Sequence, residues 1–224
     1  SVDIRGFKSS PFGNDLKAPV LVLLNGRRAG TGNLAKIMTN NVERIEVIRG
    51  PGSVQYGSSA MGGVINVITR QGQGSPSASV YGKIGSYDYN ESGVLVSGEQ
   101  SGLDFSGSFS RSSMDSYDTG AGDKFHNTGY DHIDHYSANI GYSFHERHRI
   151  GAIFTRYYGD EIGSPEYLSS NDRDDTMNLA NHSLDLIYDG ASTDKVFSWQ
   201  LRYFTGKDKG TWYDPTASNP SFWD

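Results

Sequence analysis

The chain has 224 residues, a formal net charge of −6 and no cysteine. No basic face stands out, which argues against a nucleic-acid partner, and the lack of cysteine excludes a disulfide framework. Its 28 glycines, 14 tyrosines and 10 phenylalanines favour short strands joined by turns, and its length allows one or two domains. No apolar run approaches the roughly 18 residues of a membrane-spanning helix, whereas a barrel strand needs only about ten residues, half of them apolar.

The first 41 residues predict short strands separated by loops. Residues 2–6 predict a strand, and residues 7–17 are rich in serine, proline, glycine, asparagine and aspartate, which favour a loop. The continuous apolar sequence at 19–24 predicts a strand that is buried on both faces. A glycine-rich loop follows at 27–33, and residues 34–39 predict a short segment with a helical turn.

Two strands around a glycine-rich connector form the most regular part of the N-terminal region. Residues 42–49 alternate, with Ile45 and Val47 on one side of an extended segment. The sequence G-P-G at 50–52 ends this strand, because proline cannot donate to a ladder and glycine accepts a positive φ. Residues 64–69, V-I-N-V-I-T, are rich in β-branched side chains and predict the second strand.

From residue 74 onward, apolar and polar residues alternate with a period of two. One face of each segment is apolar and aromatic and the other is small and polar, which is typical of a transmembrane barrel with a polar lumen. A soluble sandwich gives similar alternation, although its apolar face would be less aromatic at the strand ends. The links alternate between short and long, as barrel turns and loops do. Seven strands are predicted, at 78–85, 92–98, 103–110, 136–144, 150–158, 183–189 and 197–203.

The sequence E-R-I-E-V-I-R-G-P at 43–51, followed by Y-G-S at 56–58 and G-G-V-I-N-V-I-T at 62–69, resembles the end of the plug domain of TonB-dependent outer-membrane receptors. The resemblance implies an all-β-dominated fold. A small mixed α+β plug, residues 1–73, would lie inside an antiparallel transmembrane β-barrel whose first strands are residues 74–224. The layout is similar to that of cobalamin and siderophore transporters.

Plugged transporters have roughly 22 strands, so the seven predicted strands represent an incomplete barrel. The chain begins without methionine or a signal peptide, and we therefore expect it to be processed or truncated.

The same resemblance implies a function and a location. The protein would reside in the bacterial outer membrane, surrounded by its lipid, and take up a scarce ligand: ferric siderophore, cobalamin or haem. Energy would come from the TonB energy-coupling protein through an N-terminal segment that is absent from this chain. The competing interpretation is a passive porin, an adhesin or a rim hydrolase, but a porin has no sequence like residues 42–70 ahead of its first strand. The chain carries no G-x-S-x-G or nucleotide-binding motif and is predicted not to be an enzyme.

The plug supplies two sets of candidate site residues. By resemblance, the loops at 7–17 and 27–33 lie at the outer apex of the plug and contact the ligand; the alternative is that they only close turns. Charged groups inside a plugged barrel need partners, because desolvating a lone ion costs several kcal/mol. The ligand-binding candidates are Phe7, Lys8, Ser9, Asn14, Arg27, Arg28 and Asn33. Ion pairs with acidic residues of the barrel wall are expected at Arg44, Glu46 and Arg49, although these charges could serve as plain structural anchors.

The long loops of the barrel are acidic. Calcium takes about six to eight oxygen ligands, often from clustered carboxylates, and the resemblance to cobalamin transporters, whose loops calcium orders, favours such a site; the alternative is a solvated acidic loop. The expected calcium ligands are Asp115, Asp118, Asp123, Asp172, Asp174 and Asp175. His126, His132 and His135 share one loop, and neutral imidazole is a good ligand for haem iron.

Overall fold

The computed structural model of the chain describes residues 2–9, 18–37, 40–50, 52, 56–145, 147–165, 173–215 and 222–223. Within these ranges the strands form a two-stranded hairpin, a four-stranded sheet and an eight-stranded sheet. No helix in the described ranges is long and apolar enough to cross a membrane.

The chain begins with a hairpin of β1 (Asp3–Ile4) and β2 (Phe7–Lys8). The prediction of one strand over residues 2–6 is therefore wrong at its end. Arg5 and Gly6 have φ of 54° and 84°, and the Asp3 carboxylate accepts a hydrogen bond from the Gly6 N–H at 2.7 Å. An aspartate that bonds backbone within a tight turn reverses the chain here.

The four-stranded sheet, hereafter the plug sheet, has its strongest core around its central strand. Its strands are β3 (Val20–Leu24), β4 (Arg27–Arg28), β5 (Val42–Arg49) and β6 (Gly63–Thr69), in the order β4-β3-β6-β5. Short 3₁₀ helices lie at Leu34–Lys36 and Ser58–Ala60. The central strand β3 pairs in parallel with β6 and is buried at all five positions, as its continuous apolar sequence predicts.

Both faces of β3 are covered by apolar side chains. On one face lie Val22 and Leu24 with Ala29, Ile37 and Val67. On the other lie Leu21 and Leu23 with Ala60 and Val64. A parallel strand pair normally needs this cover on both sides, so the hydrophobic core of the described chain lies in the plug sheet.

The eight-stranded sheet, hereafter the wall, is an antiparallel meander in which each strand pairs with the next. All seven predicted strands occur in the described chain, together with a two-residue eighth. The strands are β7 (Ser77–Ile84), β8 (Asn90–Gln100), β9 (Leu103–Met114), β10 (Tyr130–Phe144), β11 (His148–Gly163), β12 (Thr176–Ala191), β13 (Ser198–Tyr213) and β14 (Phe222–Trp223). Its edge strands do not pair with each other within the described residues, so this sheet is not closed.

Several wall strands are longer than their alternation predicts. β11, β12 and β13 have 16 residues each, or roughly 50 Å at about 3.3 Å per residue. The apolar band of an outer-membrane barrel is only about 25 Å tall. The additional residues do not alternate regularly between apolar and polar, so period-two patterning cannot reveal them. Residues 130–135 and 176–181, which fall between the predicted strands, are strand for this reason.

The two faces of the wall differ in chemistry and in burial. Ser106, Thr155 and Asp185 on one face are 2%, 1% and 0% exposed. Residues of the other face, such as Ile140 and Leu201, are 51% and 65% exposed. The plug sheet therefore packs on the polar face and the apolar face is free. That is the arrangement of a plug inside a lipid-facing wall.

The ends of the wall strands are distinguished by their links. One end, hereafter the turn end, carries the links at 101–102, 145–147 and 192–197; the opposite end, hereafter the loop end, carries those at 85–89, 115–129 and 164–175. Aromatic rings gather at the turn end: the Phe144 and His148 ring centroids are 5.7 Å apart, and those of His148 and Tyr188 are 6.0 Å apart, with nearly parallel planes. Rings of this kind mark the interface level of a membrane barrel.

Candidate functional site at the plug–wall interface

The polar face of the wall meets the plug sheet through a buried ionic contact at Arg27. Asn25 and Gly26 have φ of 51° and 82°, a turn that returns the chain antiparallel to β3. The Asn25 side chain fixes this turn to β6, since its Oδ1 accepts from the Thr69 N–H at 2.9 Å. Arg27 therefore starts β4 with its guanidinium directed at the wall.

Arg27 and Arg202 share one carboxylate. Arg27 Nε donates to Asp185 Oδ1 at 2.7 Å and its Nη2 donates to Ser183 Oγ at 2.7 Å. Arg202 of the wall donates to Asp185 Oδ2 at 3.1 Å and also to the Asn25 carbonyl. The side chains of Arg27 and Asp185 are only 7% and 1% exposed. Asp185 thus connects the plug to the wall and pairs with two guanidinium groups.

A second ionic contact lies next to the first. Lys36 closes the 3₁₀ helix at Leu34–Lys36, and its Nζ donates to Asp208 Oδ1 at 2.8 Å. Asn181 donates to the same oxygen at 3.0 Å. The Lys36 side chain is 2% exposed and that of Asp208 is 15% exposed, so this pair is a little wetter than the pair at Asp185.

Neutral hydrogen bonds attach the other half of the plug to β9 and β10. The buried Asn41 Nδ2 donates to Ser106 Oγ at 3.1 Å and to Ser137 Oγ at 3.2 Å. The Arg70 carbonyl accepts from Ser106 Oγ at 2.6 Å and from Asn139 Nδ2 at 3.1 Å. These contacts surround the point where the chain leaves the plug for the wall.

The connector from plug to wall passes very close to wall backbone at Gly72. A Cβ at this buried position would lie 2.2 Å from the Phe105 carbonyl oxygen and 2.3 Å from that of Gly98. Only glycine allows the two main chains to approach this closely.

The predicted ligand-binding residues separate into exposed and internally bonded groups. Phe7 and Lys8 are exposed on β2. Ser9 is buried and accepts from the Val2 N–H at 2.9 Å, while Asn33 caps the 3₁₀ helix by accepting from the Ala35 N–H at 3.1 Å. Their contact with a ligand stays a prediction.

The two predicted arginines of the apex loop at 27–33 also make internal contacts. Arg27 holds the wall, as described above, and Arg28 donates to the Tyr56 carbonyl at 3.2 Å and to Ser59 Oγ at 3.4 Å. Asn14 lies outside the described residues.

The charges predicted to pair with the wall lie on β5, and in the described chain their partners are local. Arg44 pairs with Glu43 at 2.8 Å and with Glu46 at 2.9 Å. Hydrogen bonds from Asn66 and then from Arg44 hold the pKa of Glu46 below its ordinary value. Neither these residues nor Arg49 forms an ion pair with β7–β13 among the described residues, so their pairing with a barrel wall stays a prediction.

Among the described residues, one compact cluster of acidic and histidine side chains lies at the loop end of the wall, and the sequence did not indicate it. Asp131 and His132 lie at the start of β10 and Asp160 lies near the end of β11, directly opposite His132, and their ligand atoms are within 4.8 Å of one another. Sequence patterning does not show this, because Asp160 is far from the other two along the chain. Of the predicted calcium ligands, Asp115 pairs with Lys124 at 3.3 Å, and the Ser116 N–H followed by Lys124 lowers its pKa.

The other predicted calcium ligands are dispersed. Asp118 forms a backbone bridge with Lys124, and the Asp123 carbonyl accepts from the Thr119 N–H at 2.7 Å. Asp174 is exposed and Asp175 is buried, while Asp172 lies outside the described residues. A calcium site built from these residues stays a prediction.

Asp185, Asp208, Lys36 and Asn41 are interface residues that sequence reasoning missed. One signal for Asp185 was available. Its lumen-side neighbours along β12 include Ser183 and Asn181, so a full charge stands among small polar residues on a face that must be buried, and such a charge requires a partner.

Fold and interface together define a class of protein: a β-sheet wall, apolar outside and polar inside, with a separate plug attached to its inner face. The sequence profile described as "TonB-dependent Receptor Plug Domain" matches residues 1–64. The vitamin B12 transporter BtuB of Photobacterium profundum is 40% identical over 84 residues, which are 35% of this chain and 14% of that protein. The ferrienterobactin receptor of Escherichia coli (strain K12) is 45% identical over 49 residues, 22% of this chain and 7% of that protein.

The ferric yersiniabactin uptake receptor FyuA of Yersinia pestis has the same fold, with a TM-score of 0.70 and 19% identity over 90% of this chain and 34% of that one. The chain thus spans about a third of the length of that receptor, and the matched segments are still smaller shares of the curated relatives. The predicted resemblance is confirmed: residues 1–64 match the plug of TonB-dependent receptors, the matched relatives belong to this family of the bacterial outer membrane, and the fold is that of a solved receptor. These relatives are named as transporters and receptors, not as enzymes.

Proposed function

We propose that this chain acts in the active uptake of a scarce ligand across the bacterial outer membrane. The ligand classes are ferric siderophore, cobalamin and haem, in that order. The observation that carries the proposal is the buried ionic attachment of a plug to the polar face of the wall, since a passive pore gains nothing from a filled lumen. The relatives named as a ferrienterobactin receptor and a vitamin B12 transporter support the first two ligand classes.

Uptake requires that the plug can leave the wall, and the interface chemistry is suited to this. The attraction within a buried ion pair is largely offset by the cost of desolvating both ions. Separation of Arg27 from Asp185 and of Lys36 from Asp208 lets water of a polar lumen reach the released groups, and Asp185 keeps Arg202 as a partner. Energy for the separation would come from the TonB energy-coupling protein acting on a segment N-terminal to this chain.

Ligand contact is assigned to the outer apex of the plug and to the loops above it. Phe7 and Lys8 are exposed on β2, and an aromatic ring with an ammonium group beside it suits an anionic, partly aromatic ligand. The acidic loops would be ordered by calcium. Binding experiments can examine each assignment separately.

The test uses the full-length receptor in detergent with ferric triscatecholate, cyanocobalamin and haemin as probes. We expect one probe to bind at nanomolar to micromolar concentration, and Phe7→Ala with Lys8→Ala to weaken it about tenfold or more. Arg5→Ala in the same hairpin is the matched control and should change affinity less than twofold. If none of the three probes binds while a sugar or peptide does, the ligand assignment is wrong.

Transport is tested in cells and in liposomes. Uptake of the bound probe should disappear in cells without TonB, and liposomes containing the receptor should exclude small sugars until residues 1–73 are deleted. Free sugar diffusion through the intact receptor would establish the passive porin instead. Calcium titration of the intact receptor and of Asp118→Ala with Asp174→Ala tests the loop site; equal calcium affinities would reject it.

A further inference from the structure

A row of basic side chains crosses three neighbouring strands on the outer, apolar face of the wall. Arg156 of β11 is directly opposite His182 of β12, which is in turn opposite Lys207 of β13. All three are exposed. Directly paired residues on one face have Cβ atoms about 4.5–5.5 Å apart, so these residues, hereafter the cationic row, present one continuous basic patch.

The cationic row lies at the border of the apolar surface that is nearer to the loop end. The next row toward the turn end pairs Phe154 with Leu184, and the apolar surface continues from there to the aromatic rings around His148. The path from His148 to Arg156 spans roughly 26 Å along β11, close to the roughly 25 Å height of a barrel's apolar band. The cationic row therefore sits at the level of lipid headgroups at the loop end.

The apolar surface below the row is grooved. A shallow depression of about 710 Å³ runs between the side chains of Ile140, Tyr142, Ile150, Leu186, Tyr188 and Tyr203. Its position on the exposed face of the wall makes it accessible to acyl chains.

The cationic row has no anionic partner among the described residues. The acidic groups nearest to the row have other partners. Asp134 accepts hydrogen bonds from Nε and Nη2 of Arg111, each at 2.7 Å, and Asp131 is 2.8 Å from His132. Asp160 lies 4.0 Å from the His132 ring on that same side. Arg156 and Lys207 lie two strands apart, on either side of His182, or roughly 10 Å at about 4.8 Å per strand, so their long side chains can contact the same anion from both sides.

We propose that the cationic row binds the phosphate of an outer-leaflet lipid whose acyl chains lie on the apolar surface below. A phosphate group offers several acceptor oxygens to a guanidinium fork and an ammonium at once. Basic clusters at a membrane surface attract anionic headgroups by the same electrostatics. The inference rests on the orientation of the wall, with its loop end outside, and requires neither a particular transported ligand nor energy coupling.

The experiment measures lipid binding to the full-length receptor in phosphatidylcholine nanodiscs containing a small fraction of monophosphorylated lipid A. Native mass spectrometry counts the retained lipid A, and the same lipid after enzymatic dephosphorylation is the reference. We expect the phosphorylated lipid to be retained at least tenfold better. Equal retention of the two lipids would overturn the proposal.

Charge variants assign the site. Arg156→Gln with Lys207→Gln should lower retention about tenfold, whereas Lys124→Gln with Lys195→Gln, which removes the same charge away from the apolar surface, should change it less than twofold. Arg156→Lys with Lys207→Arg keeps both charges and should bind within threefold of the wild type. If the double glutamine variant does not fold, Lys207→Gln alone gives the answer, and unchanged retention there contradicts the assignment.

The last control separates a lipid site from a free-phosphate site. Inorganic phosphate at 100-fold excess over the lipid should not release it, because the acyl chains add affinity that the free anion lacks. Complete release would show that the row binds phosphate alone and would overturn the lipid assignment. No step of this experiment uses the transported ligand. A negative lipid-binding result therefore does not contradict the uptake proposal, and a negative uptake result does not contradict the lipid site.

Discussion

The sharpest consequence of the interface concerns Asp185, whose single carboxylate neutralises Arg27 of the plug and Arg202 of the wall. Replacement by asparagine keeps the shape of the side chain and removes only the charge. Two guanidinium groups then face each other near a neutral amide in a site where Asp185 is 0% exposed. The attachment of the plug to the wall should weaken strongly.

The size of the effect follows from the burial of the pair. Removing one partner of a buried ion pair costs about 3–5 kcal/mol. The asparagine oxygen can still accept one hydrogen bond from Arg27, and Ser183 Oγ continues to accept another, so we expect the lower end of this range. A loss of about 3 kcal/mol corresponds to opening that is more frequent by roughly 100-fold.

Hydrogen exchange of the amides in β3 and β4 reports this opening in the full-length receptor. Asp185→Asn should speed their exchange about 100-fold. The matched control is Asp189→Asn on the same strand, where a half-buried carboxylate accepts from the neutral Gln200 at 2.7 Å; it should change exchange less than about fivefold. If both variants exchange like the wild type, the buried charges do not hold the plug, and the reasoning fails.

Three further changes test other contacts of the plug. Lys36→Met leaves Asp208 without its cation in a partly wet site, and should cost about 1–3 kcal/mol of plug stability by the same exchange measurement, less than the Asp185 variant. Gly72→Ala places a Cβ against wall backbone on both sides, and should lower the thermal unfolding temperature of the intact receptor, while Gly74→Ala, where a Cβ meets nothing within 4 Å but φ is +68°, should show only the smaller cost of backbone strain. The pKa of Glu46 is lowered in the folded protein, so its contribution to stability is present above the ordinary pKa of 4.5 and is lost as the pH falls through the folded value. The difference in unfolding free energy between wild type and Glu46→Gln, measured in urea, should therefore vanish in acid. A difference that grows in acid would contradict the assigned hydrogen bonds.

Local sequence was sufficient to predict the strands whose hydrophobic pattern follows directly from what covers their two faces. The apolar sequence of β3 predicted burial on both faces because its neighbours cover both. Alternation predicted the seven long wall strands because one face of the wall is apolar and the other is polar. The strand ends were not predictable in this way. Residues such as Tyr130 and Thr176 begin strands beyond the apolar band, where backbone pairing continues but the contrast between the two faces is lost.

The interface was harder to predict than the fold because its contacts join residues far apart in sequence. Asp185 meets Arg27 over a separation of 158 positions, and nothing local to Arg27 distinguishes a wall contact from an apex contact. Arg44 is the opposite case. Acidic residues close to it on its own strand provide the partners that its charge needs, so it does not have to pair with the wall. Charge balance indicates that a partner exists, but only the register of the sheets identifies it.

The attachments of the plug are divided along the chain in a way that has a mechanical consequence. Arg27 and Lys36, early in the sequence, hold β12 and β13, whereas Asn41 and the Arg70 carbonyl, later in the sequence, hold β9 and β10. Tension applied from the N-terminal side would reach the first pair of anchors before the second. A passage would then open beside β12 and β13 while the later half of the plug stayed attached to β9 and β10. The released half could refold against the wall once the tension ended.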